Sequence, residues 1–253
     1  MSSIFLLSAC QDIAPEDRFI HVGPTQVRRA ILLEDFTGQR CIYCPEANAE
    51  VNRLQEAYGE ENIVAVAIHA TALSISETNS VVKGLGNQEG NQYAQQRESN
   101  MALPSVYINR RTKTPNNAAL GGLVKDALGL PSHMQINMAA NIDTQKNEIN
   151  ILTSVYSENA LQGRLQLWVI EDSIQSLQLL PKGKADEKYL HRHVFRKAAN
   201  GINGEEINLA AKQEIYKQHI ITTENHWNKK QLMIVAFVET EEGVQQVISR
   251  KIK

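Results

Sequence analysis

Cysteine is nearly absent from this chain: three occur in 253 residues, which excludes a small fold stapled by several disulfides. Long apolar runs are missing too, and no stretch approaches the roughly 20 apolar residues needed to cross a bilayer as a helix. Neither sign of charge dominates. The formal net charge is −2, spread evenly over both halves, so no basic face is available for nucleic acid, which is not an expected partner. Internal repeats are absent, and the one biased tract is a polar stretch over 71–100. What remains is ordinary for a folded protein, with 42% hydrophobic and 21% charged residues. The length suits two modest domains or one large one.

Two of the three cysteines stand together in Arg40-Cys41-Ile42-Tyr43-Cys44-Pro45. Ahead of them, the apolar run Ala30–Phe36 predicts a strand, and behind them Ala47, Val51, Leu54 and Tyr58 recur at helical spacing, predicting a helix over 46–58 that Gly59 ends. Ile63–Ile68 is a continuous apolar strand of the kind buried on both faces. Strand, helix, strand in that order predicts a parallel unit with the cysteines at its carboxyl edge. There, backbone N–H groups and the helix dipole favour a thiolate, and Arg40 adds a positive charge that lowers the Cys41 pKa further. The polar tract 71–100 reads as an insertion capping this edge, with a short helix over 88–98. Pro104 leads directly into the strand Ser105–Arg110, a place where proline is tolerated and can be cis. A helix over 118–128, stopped by Gly129 and Pro131, closes the first half.

From His133 onward the texture changes to short runs of alternating apolar and polar residues, separated by turn signals such as Asn200-Gly201 and Asn203-Gly204. About seven strands with no comparable helix predict an antiparallel β-sandwich of immunoglobulin-like build. Trp168 and Trp227 read as packing residues. The third cysteine lies in Leu7-Ser8-Ala9-Cys10, which resembles a bacterial lipobox and makes Cys10 the expected site of lipidation. The expected organisation is a signal segment over 1–10, a tether over 11–25, an α/β domain over 26–130 and a β-sandwich over 131–253.

A Cys-x-x-Cys pair admits two chemistries, thiol–disulfide exchange and half of a zinc site. A structural zinc needs four ligands, and a second cysteine pair is lacking, so neither a metal nor any other cofactor is expected. His69, at the end of the second strand, reads either as a proton shuttle beside Cys41 or as a strand-end histidine bonded to backbone. His191 and His193 are expected on one face of a strand, where two imidazoles make an incomplete metal site.

Asp35-Phe36, six positions before Cys41, and Leu103-Pro104-Ser105 resemble the thioredoxin superfamily. The resemblance implies an α/β thioredoxin-like domain followed by the all-β immunoglobulin-like sandwich. It further implies that Cys41 is the exposed nucleophile, Cys44 the resolving thiol that can bridge with it, Asp35 a proton acceptor for Cys44, and Pro104 a substrate-facing backbone element. Arg40 stands where thioredoxins carry a tryptophan, and the polar insertion lengthens the path from Cys44 to Pro104. Leu33–Cys41, Cys44-Pro45, Ala67-Ile68-His69-Ala70, Pro104–Arg110 and Tyr189–Arg196 are similar to the outer membrane protein 28 family of Bacteroidetes lipoproteins. That similarity implies a cell-envelope, outer-membrane lipoprotein anchored through Cys10. Two functions follow as expectations. One is thiol–disulfide exchange with exported protein thiols or disulfides. The other is a surface lipoprotein that binds a protein partner through its β-sandwich, the front module being structural or regulatory. If Cys10 is the anchor, mass spectrometry of the exported protein will find a chain beginning at Cys10 and carrying diacylglycerol, and Cys10→Ser will abolish both.

Overall fold

The computed structural model describes residues 27–252, so Cys10 and the stretch expected as a tether lie outside the described residues. The first half runs β1 (Ile31–Thr37), α1 (Cys44–Tyr58), β2 (Ile63–His69), α2 (Gln88–Arg97), β3 (Ser105–Ile108), β4 (Thr112–Lys113) and α3 (Asn117–Leu128). The second half is all strand apart from one turn of 3-10 helix: β5 (Met134–Asp143), β6 (Glu148–Ser157), β7 (Leu161–Glu171), β8 (Ile174–Leu180), β9 (Lys184–His191), β10 (Val194–Ala198), β11 (Glu205–Leu209), β12 (Gln213–Thr222), β13 (Leu232–Thr240) and β14 (Gly243–Lys251).

Local signals explain the helices. Pro45 occupies the first turn of α1, where no N–H is required, and Gly59 ends the helix at φ 91°. Asn87 and Asn116 cap α2 and α3, their side chains accepting from the Gly90 and Ala119 N–H groups. Between β3 and β4, Asn109 and Arg110 both take positive φ, which closes a tight hairpin turn. The turn is held from both sides: the Asn109 side chain accepts from Leu32 N–H, and its carbonyl accepts from Val244 N–H. Gly243 has to be glycine here, because a Cβ would lie 2.6 Å from the Asn109 carbonyl oxygen.

The strands do not divide between two independent domains. One mixed sheet runs β4-β3-β1-β2-β10-β7-β13-β14, with β11 pairing the part of β7 that β10 leaves open. The front strands join the back ones at a short parallel contact, Ala67 opposite Val194, where Ala67 N–H donates to the His193 carbonyl at 2.9 Å. The expected thioredoxin-like α/β domain followed by an immunoglobulin-like sandwich is therefore corrected: the described chain is mostly β, and its largest sheet takes strands from both halves. A second sheet, β12-β6-β5, does pack on the back of this one. However, β7 and β13 are buried on both faces. Leu165, Leu167 and Val169 meet the second sheet, whereas Trp168 and Ile170 face the opposite way, into a core shared with Leu32, Phe36, Val66 and Tyr93. An immunoglobulin-type sheet would leave that second face to solvent. The other face of β1 and β2 packs Ile31, Leu33, Ile63 and Ala65 against α1 and α3.

A buried charge cluster crosses the shared core. Glu34 of β1 is fully buried and pairs with Arg110 at 3.1 Å and Arg97 at 3.3 Å, and Arg110 reaches on to Glu239 of β13 at 2.7 Å. The Arg110 guanidinium also lies 5.3–5.6 Å from the ring centroids of Tyr93, Trp168 and Phe237. Removing one partner of such a group leaves an uncompensated charge in the interior. Arg110→Ala should therefore lower stability by about 3–5 kcal/mol, read as a fall in the urea midpoint with the slope unchanged.

Candidate functional site

The Gly38–Tyr43 loop leaves β1 and enters α1 at Cys44. Cys41 and Cys44 form a disulfide, with sulfurs 2.08 Å apart and Cα atoms 5.4 Å apart. In this oxidised form Cys41 is only 3% exposed and Cys44 is fully buried, while Tyr43 between them is 63% exposed. The structure thus brings the two cysteines together as expected, but Cys41 does not stand out into solvent. Arg40 is exposed; its backbone N–H donates to Leu73 O at 2.8 Å and its guanidinium reaches Ala72 O. Leu103–Pro104 is cis. Because Ser105 pairs with Phe36, Pro104 sits at the same end of β1 from which the cysteine loop departs.

Two glutamines bind the loop to segments far away in the chain. Gln39 is fully buried; its amide nitrogen donates to Lys83 O and Ser176 Oγ, and its oxygen accepts from Leu85 N–H. Gln178 of β8, also fully buried, donates to Cys41 O at 2.9 Å, and Leu179 N–H donates to Gln39 O at 2.8 Å. The hairpin β8–β9 from the back half thereby lies against the cysteine loop, and the 71–86 segment packs alongside it. That approach is tight, since a Cβ on Gly38 would come within 2.7 Å of Leu73 O. The insertion thus contacts the cysteine edge, and the hairpin is a second cover that the sequence reading did not place there.

Asp35 lies behind the disulfide, 3% exposed. With the Asn48 amide turned so that its nitrogen donates, that nitrogen reaches Asp35 Oδ2 at 2.7 Å and Cys44 O at 3.0 Å. Asn48 stands four residues beyond Cys44, one helical turn, so a single side chain ties the carboxyl group to the Cys44 backbone. Tyr189 of β9 also hydrogen-bonds Asn48. The remaining oxygen, Asp35 Oδ1, has no protein partner among the described residues. Burial without a compensating positive charge pushes the Asp35 pKa up to about 7. A cavity of about 20 Å3 adjoins it, lined in part by Asn48, Ala65, Ala67, Tyr189 and His193.

His69 closes β2, but neither ring nitrogen has a hydrogen-bond partner among the described residues; the ring packs edge-on against His191, centroids 5.1 Å apart. Burial, then His191 and Arg196, holds its pKa well below the ordinary imidazole range. It is a neutral packed ring, not a backbone-bonded strand end. His191 and His193 do not share a strand face, because β9 ends at His191 and His193 follows in the left-handed region at φ 53°. Among the described residues, no group of three or more His, Cys, Asp or Glu side chains is placed to hold a metal ion.

Sequence reasoning missed Gln39, Asn48, Gln178 and Tyr189. Asn48 was within reach, as a polar residue one turn from Cys44 on an otherwise apolar helix face. Gln178 and Tyr189 lie on the β8–β9 hairpin, and Gln39 acts through that hairpin and the 71–86 segment together, whose positions no local pattern reveals.

The sequence profile described as "Outer membrane protein Omp28" matches residues 90–253, more than half of the chain. Among solved structures, HBP35 of Porphyromonas gingivalis is similar with a TM-score of 0.68 and 14% identity, covering 89% of this chain and 76% of that one. At that identity the similarity speaks for the fold alone. A domain of the outer membrane lipoprotein Omp28 from Porphyromonas gingivalis aligns over 48% of this chain and 89% of its own, with 21% identity and a TM-score of 0.34. No curated protein matches. No helix among the described residues is long and apolar enough to cross a membrane.

Asp35 makes a prediction with a definite sign. Its folded pKa, about 7, lies above the ordinary aspartate value of 3.8, so the folded state holds the proton more tightly. The stability linked to this group is fully present below pH 3.8 and is lost as pH rises toward 7, at about 1.4 kcal/mol per unit at most. Asp35→Asn, which keeps an acceptor for Asn48, should accordingly stabilise the oxidised protein at pH 8 and change little at pH 4, as measured by urea unfolding.

Proposed function

We propose that this chain, which belongs to the outer membrane protein Omp28 family, performs thiol–disulfide exchange with exported proteins through Cys41 and Cys44. The family places it at the outer membrane of the cell envelope, a compartment where client thiols and disulfides are both available. Cys10 is the residue that would carry its lipid anchor.

One observation carries the reading: the Cys41–Cys44 disulfide has a buried, protonatable carboxyl group behind it, linked to Cys44 through Asn48. A client thiolate attacks Cys41 Sγ, the S–S bond breaks, and its electron pair leaves on Cys44 Sγ. Asp35, protonated over a large part of the neutral range, supplies the proton that the departing sulfur needs. The second client thiolate then attacks its own sulfur in the mixed disulfide and releases Cys41. In the reverse direction the Asp35 carboxylate takes the Cys44 proton and Cys41 is the nucleophile. The first turn of α1 and the Arg40 cation favour the thiolate form at this edge. The cis Leu103–Pro104 segment offers a client its backbone at the same end of β1.

A second reading draws on the covering of the site. Gln178 and Leu179 bind the cysteine loop directly, so the disulfide would serve as a clasp that holds the loop for the hairpin, and the chain would act as a surface binding lipoprotein. The reduction potential separates the two. Equilibration with glutathione or dithiothreitol buffers should give a value above about −300 mV for an exchanging pair and below it for a clasp. Cys41→Ser should abolish exchange with a model dithiol, while Cys44→Ser should trap a mixed disulfide on Cys41, visible as added mass. A Cys44→Ser protein that traps nothing would remove the exchange reading.

A further inference from the structure

Two buried polar atoms behind the disulfide have no protein hydrogen-bond partner among the described residues: Asp35 Oδ1 and His193 Nε2. Their residues, one from each half of the chain, line the same cavity of about 20 Å3. One water requires roughly 10–15 Å3 and two to four polar neighbours, so the space matches a single molecule. Ala65 and Ala67 leave the room for it, and Asn48 and Tyr189 add polar groups to the wall.

The position of His193 is tightly set. Its carbonyl accepts from Ala67 N–H at the sheet joint, and its own N–H donates to Asp172 Oδ1 at 3.0 Å. Its ring Nδ1 is 3.4 Å from the same carboxylate. An acid beside Nδ1 favours the tautomer with the proton there and leaves the Nε2 lone pair open. The charged and titratable groups around the pair are Tyr189 and Asp186 of β9, Arg192 beyond it, Asp172 after β7 and Glu60 after α1. Burial above all, with Arg192, holds the His193 pKa below the ordinary imidazole value against the pull of Asp172 and Glu60 toward the cation, so the imidazolium is a transient acid that passes its proton on readily.

We propose that one water in this cavity bridges Asp35 Oδ1 and His193 Nε2, and that His193 relays protons between solvent and Asp35. The inference rests on the exchange reaction above and names its proton route. When Cys44 leaves as thiolate, Asp35 gives it a proton and becomes carboxylate. The bridging water then protonates Oδ1 and is restored by a proton from Nε2 of the imidazolium. His193 returns to the neutral form beside Asp172, having taken its extra proton from solvent. One solvent proton thus ends on Cys44, and the two electrons come from the client dithiol. His193 touches no reacting sulfur and acts through Asp35.

The test is stopped-flow reduction of the Cys41–Cys44 disulfide by dithiothreitol from pH 5 to 9, in wild type, Asp35→Asn, His193→Asn and the double variant. Asparagine tolerates the positive φ of position 193, so the backbone is kept. His193→Asn should slow reduction about tenfold above pH 7, where Asp35 starts without its proton and is loaded through the relay, change little at pH 5, and leave the reduction potential unchanged. Added to Asp35→Asn it should cost nothing more, because both lie on one route. Should His193→Asn not fold, Asp172→Asn reads the same relay and should give a smaller loss with the same pH dependence. A His193→Asn profile that overlays the wild type, a slowing equal at every pH, or full additivity with Asp35→Asn overturns the relay. If the wild type itself does not react with dithiothreitol, the exchange reading fails with it. If wild type reacts and Asp35→Asn is slow while His193→Asn is normal, the relay alone fails.

Discussion

The backbone hydrogen bond from Ala67 N–H to the His193 carbonyl joins the two halves of the sheet. It is the point at which β2, reached through the cysteine-bearing helix, meets β10, reached through the β8–β9 hairpin. Fixing β10 there places that hairpin beside the cysteine loop and His193 beside Asp35. A joint this short is weak alone. It holds because the core beneath it is shared: Trp168 and Phe237 from the back pack with Phe36 and Tyr93 from the front, and the Arg110–Glu34 cluster crosses between them.

The site shows the same dependence. A cysteine pair at a helix start is locally determined chemistry, but the groups that surround it come from the hairpin and the insertion. Gln39 and Gln178 are uncharged and fully buried, and their amide nitrogens donate to backbone carbonyls and the Ser176 hydroxyl, so they hold the loop without altering the charge near the sulfurs. Asp35 is left as the buried acid closest to Cys44 in the hydrogen-bond network, and its raised pKa follows from desolvation with no cation to offset it.

The local elements of the front half were legible in the sequence. Glycine, proline and asparagine mark the ends of α1, α2 and α3, and the apolar runs of β1 and β2 read correctly as strands, β2 as one buried on both faces. The back half was half legible. Its alternation was read from Leu165, Leu167 and Val169, although Trp168 and Ile170 between them, like Val235 and Phe237 in β13, already signalled a second buried face. Charged strands such as β9, largely exposed at Lys184–Lys188, carry no apolar period and escaped notice.

The sequence by itself determined the Cys41–Cys44 pair, the strand and helix that hold it, and the acid six positions upstream, because each depends on neighbours within a turn or a strand. Only the tertiary structure decided that one sheet spans both halves, that a distant hairpin lies on the cysteine loop, and that His193 shares a cavity with Asp35. Those arrangements depend on strand pairing over more than a hundred residues, and pairing is set by which faces must be buried together, a property of the whole core and of no single segment.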